Sequence, residues 1–165
     1  MSVEPRSRTF TWEDPIALRD AGSTMNGLDF MHAVIAGKLP PPPIAATMDF
    51  TGAEADEGRV VFTGEPGEFL YNPLGVVHGG YAMTVLDSAM GCAIQTTLAQ
   101  GEGYTSLETS VNFVRPITKE TGRIRCEGKI VHRGGRIATA EGKLIAEKTG
   151  KLLAHGTTIC LIFRP

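Results

Sequence analysis

The stretch whose reading decides the fold runs from Asn72 to Thr97, NPLGVVHGGYAMTVLDSAMGCAIQTT. From Gly79 to about Leu98 it reads as one helix. Its small and apolar residues, from Ala82 and Met83 through Val85, Leu86, Ala89, Met90, Ala93 and Ile94, occupy most of the circumference. A helix that is apolar nearly all round belongs in an interior. Yet Asp87 sits in its middle, with no cation nearby in sequence. Aspartate is a poor helix former, and its charge is costly in an apolar interior unless paired or hydrogen-bonded. Two readings of that carboxylate remain open. It is a functional group, or it lies on a solvated stripe of the helix or bonds a neighbouring strand.

The residues just upstream favour the first reading. In "HGG", Gly79 and Gly80 leave the backbone N–H groups of a first helical turn unobstructed, with a partial positive charge behind them. Such a turn suits a carbonyl oxygen that becomes an oxyanion. His78 would act as a base or orient the loop by hydrogen bonding. At 1.5 Å rise per residue, Gly79 and Asp87 lie about 12 Å apart along one helix, so they cannot both touch one carbonyl. If both serve one site, the carboxylate of one subunit must face the helix N-terminus of another, and a two-fold dimer makes two such sites.

Working outward, residues 1–12 read as a loose tail, followed by one or two short helices in EDPIALRDAG and NGLDFMHAVIAGKLPPPP. Asn26 caps the second, which stops near Gly37 before a proline spacer over 40–43. IAATMDF and GRVVFTGEP are candidate strands, separated by a polar, glycine-containing loop. After the long helix the chain is strand-like to its end. TSLETSVNFVRP alternates with Leu107, Thr109, Val111 and Phe113 on one face; then come GRIRCEGKIVHR, RIATAEGKLIAEK and KLLAHGTTICLIF. Two strands, a buried helix and four strands give an α+β arrangement, an antiparallel sheet wrapped around one central helix. The last strand is apolar on both faces near Ile159 to Phe163, which asks for a second copy as cover. The expected organisation is an N-terminal tail and helical extension over 1–39 and the main domain over 40–165.

Composition narrows the function classes. The chain has 165 residues and 42% hydrophobic residues, enough for a real core. It offers no apolar run of membrane-spanning length, and MSVEPRSRTF lacks the apolar core of a secretory signal, so a cytoplasmic protein without membrane contact is expected. The three cysteines, Cys92, Cys126 and Cys160, are widely spaced without a CxxC pair, which suggests neither a disulfide framework nor a metal site. All three read as small buried hydrophobes. Charge is unevenly placed. Residues 1–114 hold 5 Lys/Arg against 14 Asp/Glu, and residues 115–151 hold 10 against 4. The alternating Arg123, Arg125, Glu127 and Lys129 read as an exposed strand edge. No aromatic-plus-basic motif accompanies the charge, so nucleic acid is not the expected partner.

At this point a resemblance is clear. YNPLGVVHGGYAMTVLDSAMGCAI, followed by YTSLETSVNFVRPIT, VHRGGR and GKLLAHGTT, resembles the hotdog-fold acyl-CoA thioesterases of the phenylacetate-degradation (PaaI-like) family, related to the 4-hydroxybenzoyl-CoA thioesterases. It runs from roughly Pro40 to the end. The resemblance implies a hotdog fold, homodimers that often pair into tetramers, and hydrolysis of a CoA thioester without metal or other cofactor, coenzyme A being part of the substrate. By resemblance, Asp87 matches the catalytic acid, a base toward water or a nucleophile. Gly79 matches the glycine whose N–H polarises the carbonyl, with Gly80 beside it. Asn72 and His78 match residues supporting the carbonyl site and its loop, and Ser106 a hydroxyl that helps hold water. The acyl group, aryl or medium-chain, stays open. Arg115, Arg133 and Arg136 are candidate grips for the CoA phosphates.

Two other functions remain beside hydrolysis. A hydratase or dehydratase on the same fold needs a His and acid pair at the α-carbon, and this sequence offers only His78, nine residues before Asp87. A non-catalytic acyl-CoA sensor would predict loss of the carboxylate, which is present.

Overall fold

A computed structural model describes residues 4–164; the first three residues of the expected tail and the last residue of the expected main domain lie outside it. In chain order the elements are α1 (Pro15–Ser23), α2 (Gly27–Ile35), α3 (Pro43–Met48), β1 (Phe50–Asp56), β2 (Arg59–Gly64), α4 (Gly79–Gln95), β3 (Gly103–Phe113), β4 (Ile124–Arg133), β5 (Ile137–Ala146) and β6 (Leu152–Phe163). The strands form one antiparallel sheet in the order β1-β2-β4-β5-β6-β3. It is the expected two strands, long helix and four strands.

Helix α4 lies against the concave face of the sheet, with Val85, Leu86, Ala89, Met90, Ala93 and Ile94 fully buried. Close approach is built into the strands. Gly128 of β4 pairs in register with Gly142 of β5. A Cβ at Gly128 would stand 2.2 Å from the Ala89 carbonyl oxygen, and one at Gly142 would stand 2.9 Å from Met90 Cγ. Only glycine lets the helix backbone rest directly on the sheet there.

The N-terminal half differs from the expectation in three places. IAATMDF is mostly helix, because Pro43 suits a first helical turn and alanines continue it; α3 ends where Asp49 turns left-handed at φ 58°. The strand begins only at Phe50, so the polar segment expected as a loop is β1. It is an edge strand whose exposed residues point to water, and polarity there does not forbid pairing. The tail is not loose either. Arg8 donates through Nη1 to the Thr47 carbonyl and through Nη2 to the Ala46 carbonyl, each at 2.7 Å, and lies 4.0 Å over the Phe69 ring. A cation at the last carbonyls of a helix is well placed.

Two smaller expectations are also corrected. Helix α4 ends at Gln95 rather than Leu98, where the Thr96 and Thr97 hydroxyls bond the carbonyls of Ala93 and Ile94. The Arg123 to Lys129 alternation is not a sheet edge, because β4 is interior, between β2 and β5. Its charged face is an ion-pair network: Arg125 and Arg59 both reach Glu54, and Arg59 and Lys129 both reach Glu127. Among the described residues no helix is long and apolar enough to cross a membrane.

Candidate active site

Asn72 accepts at Oδ1 from Leu74 N at 2.9 Å, closing the turn between Tyr71 and Val77 that delivers the chain to α4. His78 then caps the helix: its Nδ1 accepts from Gly80 N at 2.9 Å. The Gly80 N–H is thereby occupied within the loop. The Gly79 N–H, one position earlier, donates no hydrogen bond among the described residues. Gly79 lies against the Phe113 ring, and a Cβ there would stand 3.1 Å from it. Around this turn opens a cleft of about 310 Å³ that also reaches Ala82, Arg115 and Leu153.

Asp87 is exposed in the protomer, on a solvated stripe of α4 and bonded to a neighbouring strand as the second reading had it, although the helix around it is buried. It lies on one stripe of α4 with Met83, four residues earlier and 44% exposed. Strand β3 supplies its hydrogen bonds. Ser106 Oγ donates to Asp87 Oδ1 at 3.2 Å and Thr109 Oγ1 donates to the same oxygen at 3.0 Å. Residues three apart on a regular strand face opposite ways. Both hydroxyls reach the helix because the register shifts between Ser106 and Glu108, so that Leu107 is a bulge. The strict alternation expected through Leu107, Thr109, Val111 and Phe113 is broken there, and Thr109 was for that reason invisible as a partner of Asp87. Both donors use Oδ1, and among the described residues no hydrogen bond reaches the second carboxylate oxygen.

The two halves of the expected site are not brought together within the protomer. Gly79, His78 and Arg115 line the first cleft; Asp87 lines a second, of about 510 Å³, between α4 and the helical extension. Cys92 borders the second, and burial pushes its thiol up to about 12, so it is no thiolate nucleophile at neutral pH. Cys126 and Cys160 are buried, as expected, whereas Cys92 is only half-buried because it borders the cavity.

The three arginines fare differently. Arg133 pairs with Glu102 at 3.0 Å and donates to the Gly134 carbonyl, so its charge is already met. Arg115 donates to the Leu152 carbonyl at 2.7 Å on an exposed strand end. Arg136 is exposed, in a shallow pocket with Glu102 and Arg164. Among the described residues no three His, Cys, Asp or Glu side chains are grouped to hold a metal ion.

Comparison with known proteins agrees with this architecture. The Thioesterase superfamily matches residues 74–153, which include α4 with Asp87 and all of β3 with its two hydroxyls. The mouse acyl-coenzyme A thioesterase 13 is 32% identical over 85 residues, 52% of this chain and 59% of the mouse protein, so the likeness spans little more than half of that relative. The phenylacetic acid degradation-related protein of Ralstonia eutropha JMP134 superposes with a TM-score of 0.71 at 26% identity, over 79% of this chain and 98% of that one. A Streptococcus mutans protein solved bound to acetyl CoA superposes with a TM-score of 0.64 at 22% identity, over 70% and 90% of the two chains. Residues 74–153 are thus similar to the Thioesterase superfamily, and the fold superposes on that of the phenylacetic acid degradation-related protein.

Proposed function

We propose that the protein hydrolyses an acyl-CoA thioester to the free acid and CoA, at a site shared by two copies of the chain. The observation that carries the reading is Asp87, with one oxygen held by two hydroxyls and the other open at the mouth of an apolar cavity. The open oxygen takes a proton from water as that water attacks the carbonyl carbon, or itself attacks and is released by water. The C–S bond breaks, and the departing thiolate takes up the proton. No electrons are gained or lost, so the step calls on no redox cofactor. Sulfur donates poorly into the carbonyl and a thiolate leaves readily, so one carboxylate and one aimed donor suffice. General-base help typically contributes about 10²–10⁴-fold.

The donor is the Gly79 N–H of the second copy. Asp87 and Gly79 open into separate clefts of one protomer, and β3, which carries Ser106 and Thr109, is the outer strand of the sheet with its edge unpaired. Around it Met83, Leu107, Phe113 and Val114 are exposed at 44%, 59%, 57% and 43%. A homodimer that pairs β3 with β3 covers these residues and sets each Asp87 toward the partner's Gly79. The exposed Ile159 and Phe163 supply a further face for a dimer of dimers. Arg136 and Arg115 are the cations available for the CoA phosphates.

Subunit mixing tests the shared site. Gly79 is the first residue of α4 and His78 is extended at φ −60°, ψ 137°, so Gly79→Pro fits the backbone while deleting the N–H. The Phe113 ring must yield a few tenths of an ångström. Gly79→Pro is expected to lower kcat by about 10²–10³, as removal of an oxyanion donor does, and Asp87→Asn by about 10²–10⁴. Mixed dimers of the two variants regain one of their two sites, read as thiol release. No recovery under proven subunit exchange refutes the shared site, and an active Asp87→Asn refutes the carboxylate's role.

A further inference from the structure

The cavity at Asp87 is not built by α4 and the sheet alone. Its far wall is the helical extension, which precedes the segment matched by the superfamily. Helix α2 turns Phe30, Val34 and Ile35 toward the space; α3 adds Ile44; β1 and β2 add Phe50 and Phe62. Asp87 is the one charged side chain on the lining among the described residues. At about 510 Å³ the cavity falls in the range of small-molecule pockets, about 300–1,000 Å³.

The wall is fixed in place. The Gly27 N–H donates to the Leu98 carbonyl at 2.9 Å, and a Cβ at Gly27 would stand 1.6 Å from the Gln95 carbonyl oxygen, so α2 begins in backbone contact with the end of α4. Farther along, His32 Nε2 lies 2.9 Å from the Ala55 carbonyl on β1. A helix tied to both the central helix and the edge strand encloses a space formed before ligand arrives. Phe30, Val34 and Ile35 stay only half-buried because they face that space.

We propose that the α1–α3 extension determines acyl specificity: an uncharged, apolar acyl tail lies in this cavity with its thioester carbonyl at Asp87, and Val34 and Ile44 limit the tail that fits. The proposal rests on Asp87 as the hydrolytic carboxylate. A tail ending in a carboxylate is excluded, because it would give up its hydration with no partner inside.

The test compares acetyl-, octanoyl- and succinyl-CoA on the wild type, Val34→Phe, Ile44→Phe and Asp87→Asn. Ile44 is 46% exposed, so its variant keeps the fold even if Val34→Phe does not. Wild type is expected to prefer octanoyl- over acetyl- and succinyl-CoA. A methylene-sized change in an apolar pocket shifts selectivity about 10–200-fold. Each filled variant is therefore expected to lose about tenfold or more in kcat/KM for octanoyl-CoA and to keep its acetyl-CoA rate within about twofold. Equal losses on all chains, or an unchanged ranking, overturn the proposal while leaving Asp87→Asn to judge the hydrolytic reading separately. If Asp87→Asn stays active while the ranking shifts, the wall stands and the carboxylate's role falls. If the wild type hydrolyses none of the three, calorimetric binding decides: selective loss of octanoyl-CoA by the filled variants supports the wall, and equal binding overturns it.

Discussion

The two clefts along α4 are made in different ways. The one at its N-terminus is assembled from neighbours in sequence: Asn72 closes the turn, His78 caps the helix, and Gly79 is left with an unused donor. The one at mid-helix takes its carboxylate from α4, two hydroxyls from β3 and an apolar wall from residues before Phe50. On the proposed reading, the groups that polarise a carbonyl are fixed by one loop and one helix end, while those that hold the carboxylate and measure an acyl tail are collected from distant parts of the chain. Changes at the first cleft should therefore act on rate alone, and changes at the second on rate or on selectivity according to which element is touched.

The sharpest way to break that contrast is Gly27→Ala. A methyl group has no room 1.6 Å from the Gln95 carbonyl oxygen, so α2 must lift from the end of α4. At the upper end of overpacking costs, about 3 kcal/mol, the melting temperature is expected to fall by roughly 6–12 °C. Selectivity among acyl chains is expected to blur while the cleft at Gly79 keeps its geometry. Unchanged melting and unchanged selectivity would mean that the extension does not bear on the cavity. Thr109→Val is milder. It keeps the shape on β3 and removes one donor to Asp87 Oδ1, and with the carboxylate exposed the expected loss is about tenfold in kcat, for every acyl chain alike. A change in chain preference instead would merge the two functions of the second cleft.

How much of this was legible in the sequence follows the same division. The start of α4, the four strands after it and the separation of Gly79 from Asp87 all follow from short-range pattern, and each is found. Asp87 looked buried because α4 is apolar around most of its turn; the exposed stripe it shares with Met83 is too narrow for local pattern to show. Thr109 was hidden by a bulge, since a one-residue register shift reverses which side chains share a face. β1 was passed over because an edge strand can be polar, and α3 was taken for a strand because six residues carry too little period to choose. The Gly128 and Gly142 pair was the signal that went unread: interior strand glycines mark a close approach, here of α4 itself.

The smallest expected effect concerns the frame that both clefts share. Glu102 immediately precedes β3 and accepts from Ala99 N at 3.0 Å, while Arg133 and Arg164 lie at 3.0 and 3.6 Å from its oxygens. The Ala99 N–H first, and then the two guanidinium groups, outweigh burial and hold its carboxyl below the usual glutamate range. A carboxylate with a lowered folded pKa adds stability that is fully present above its unfolded value, about 4.3, and is lost as pH falls through the folded one. Glu102→Gln is thus expected to cost about 1 kcal/mol at pH 7, measured by urea unfolding, because it leaves the half-buried Arg133 without its counter-charge. The difference from wild type should shrink as pH falls below the ordinary glutamate range and through the lowered value of the native carboxyl, where that group also loses its charge. A gap that stays constant into acid would show that Glu102 acts through packing rather than charge, and that β3 is anchored by its pairing with β6 alone.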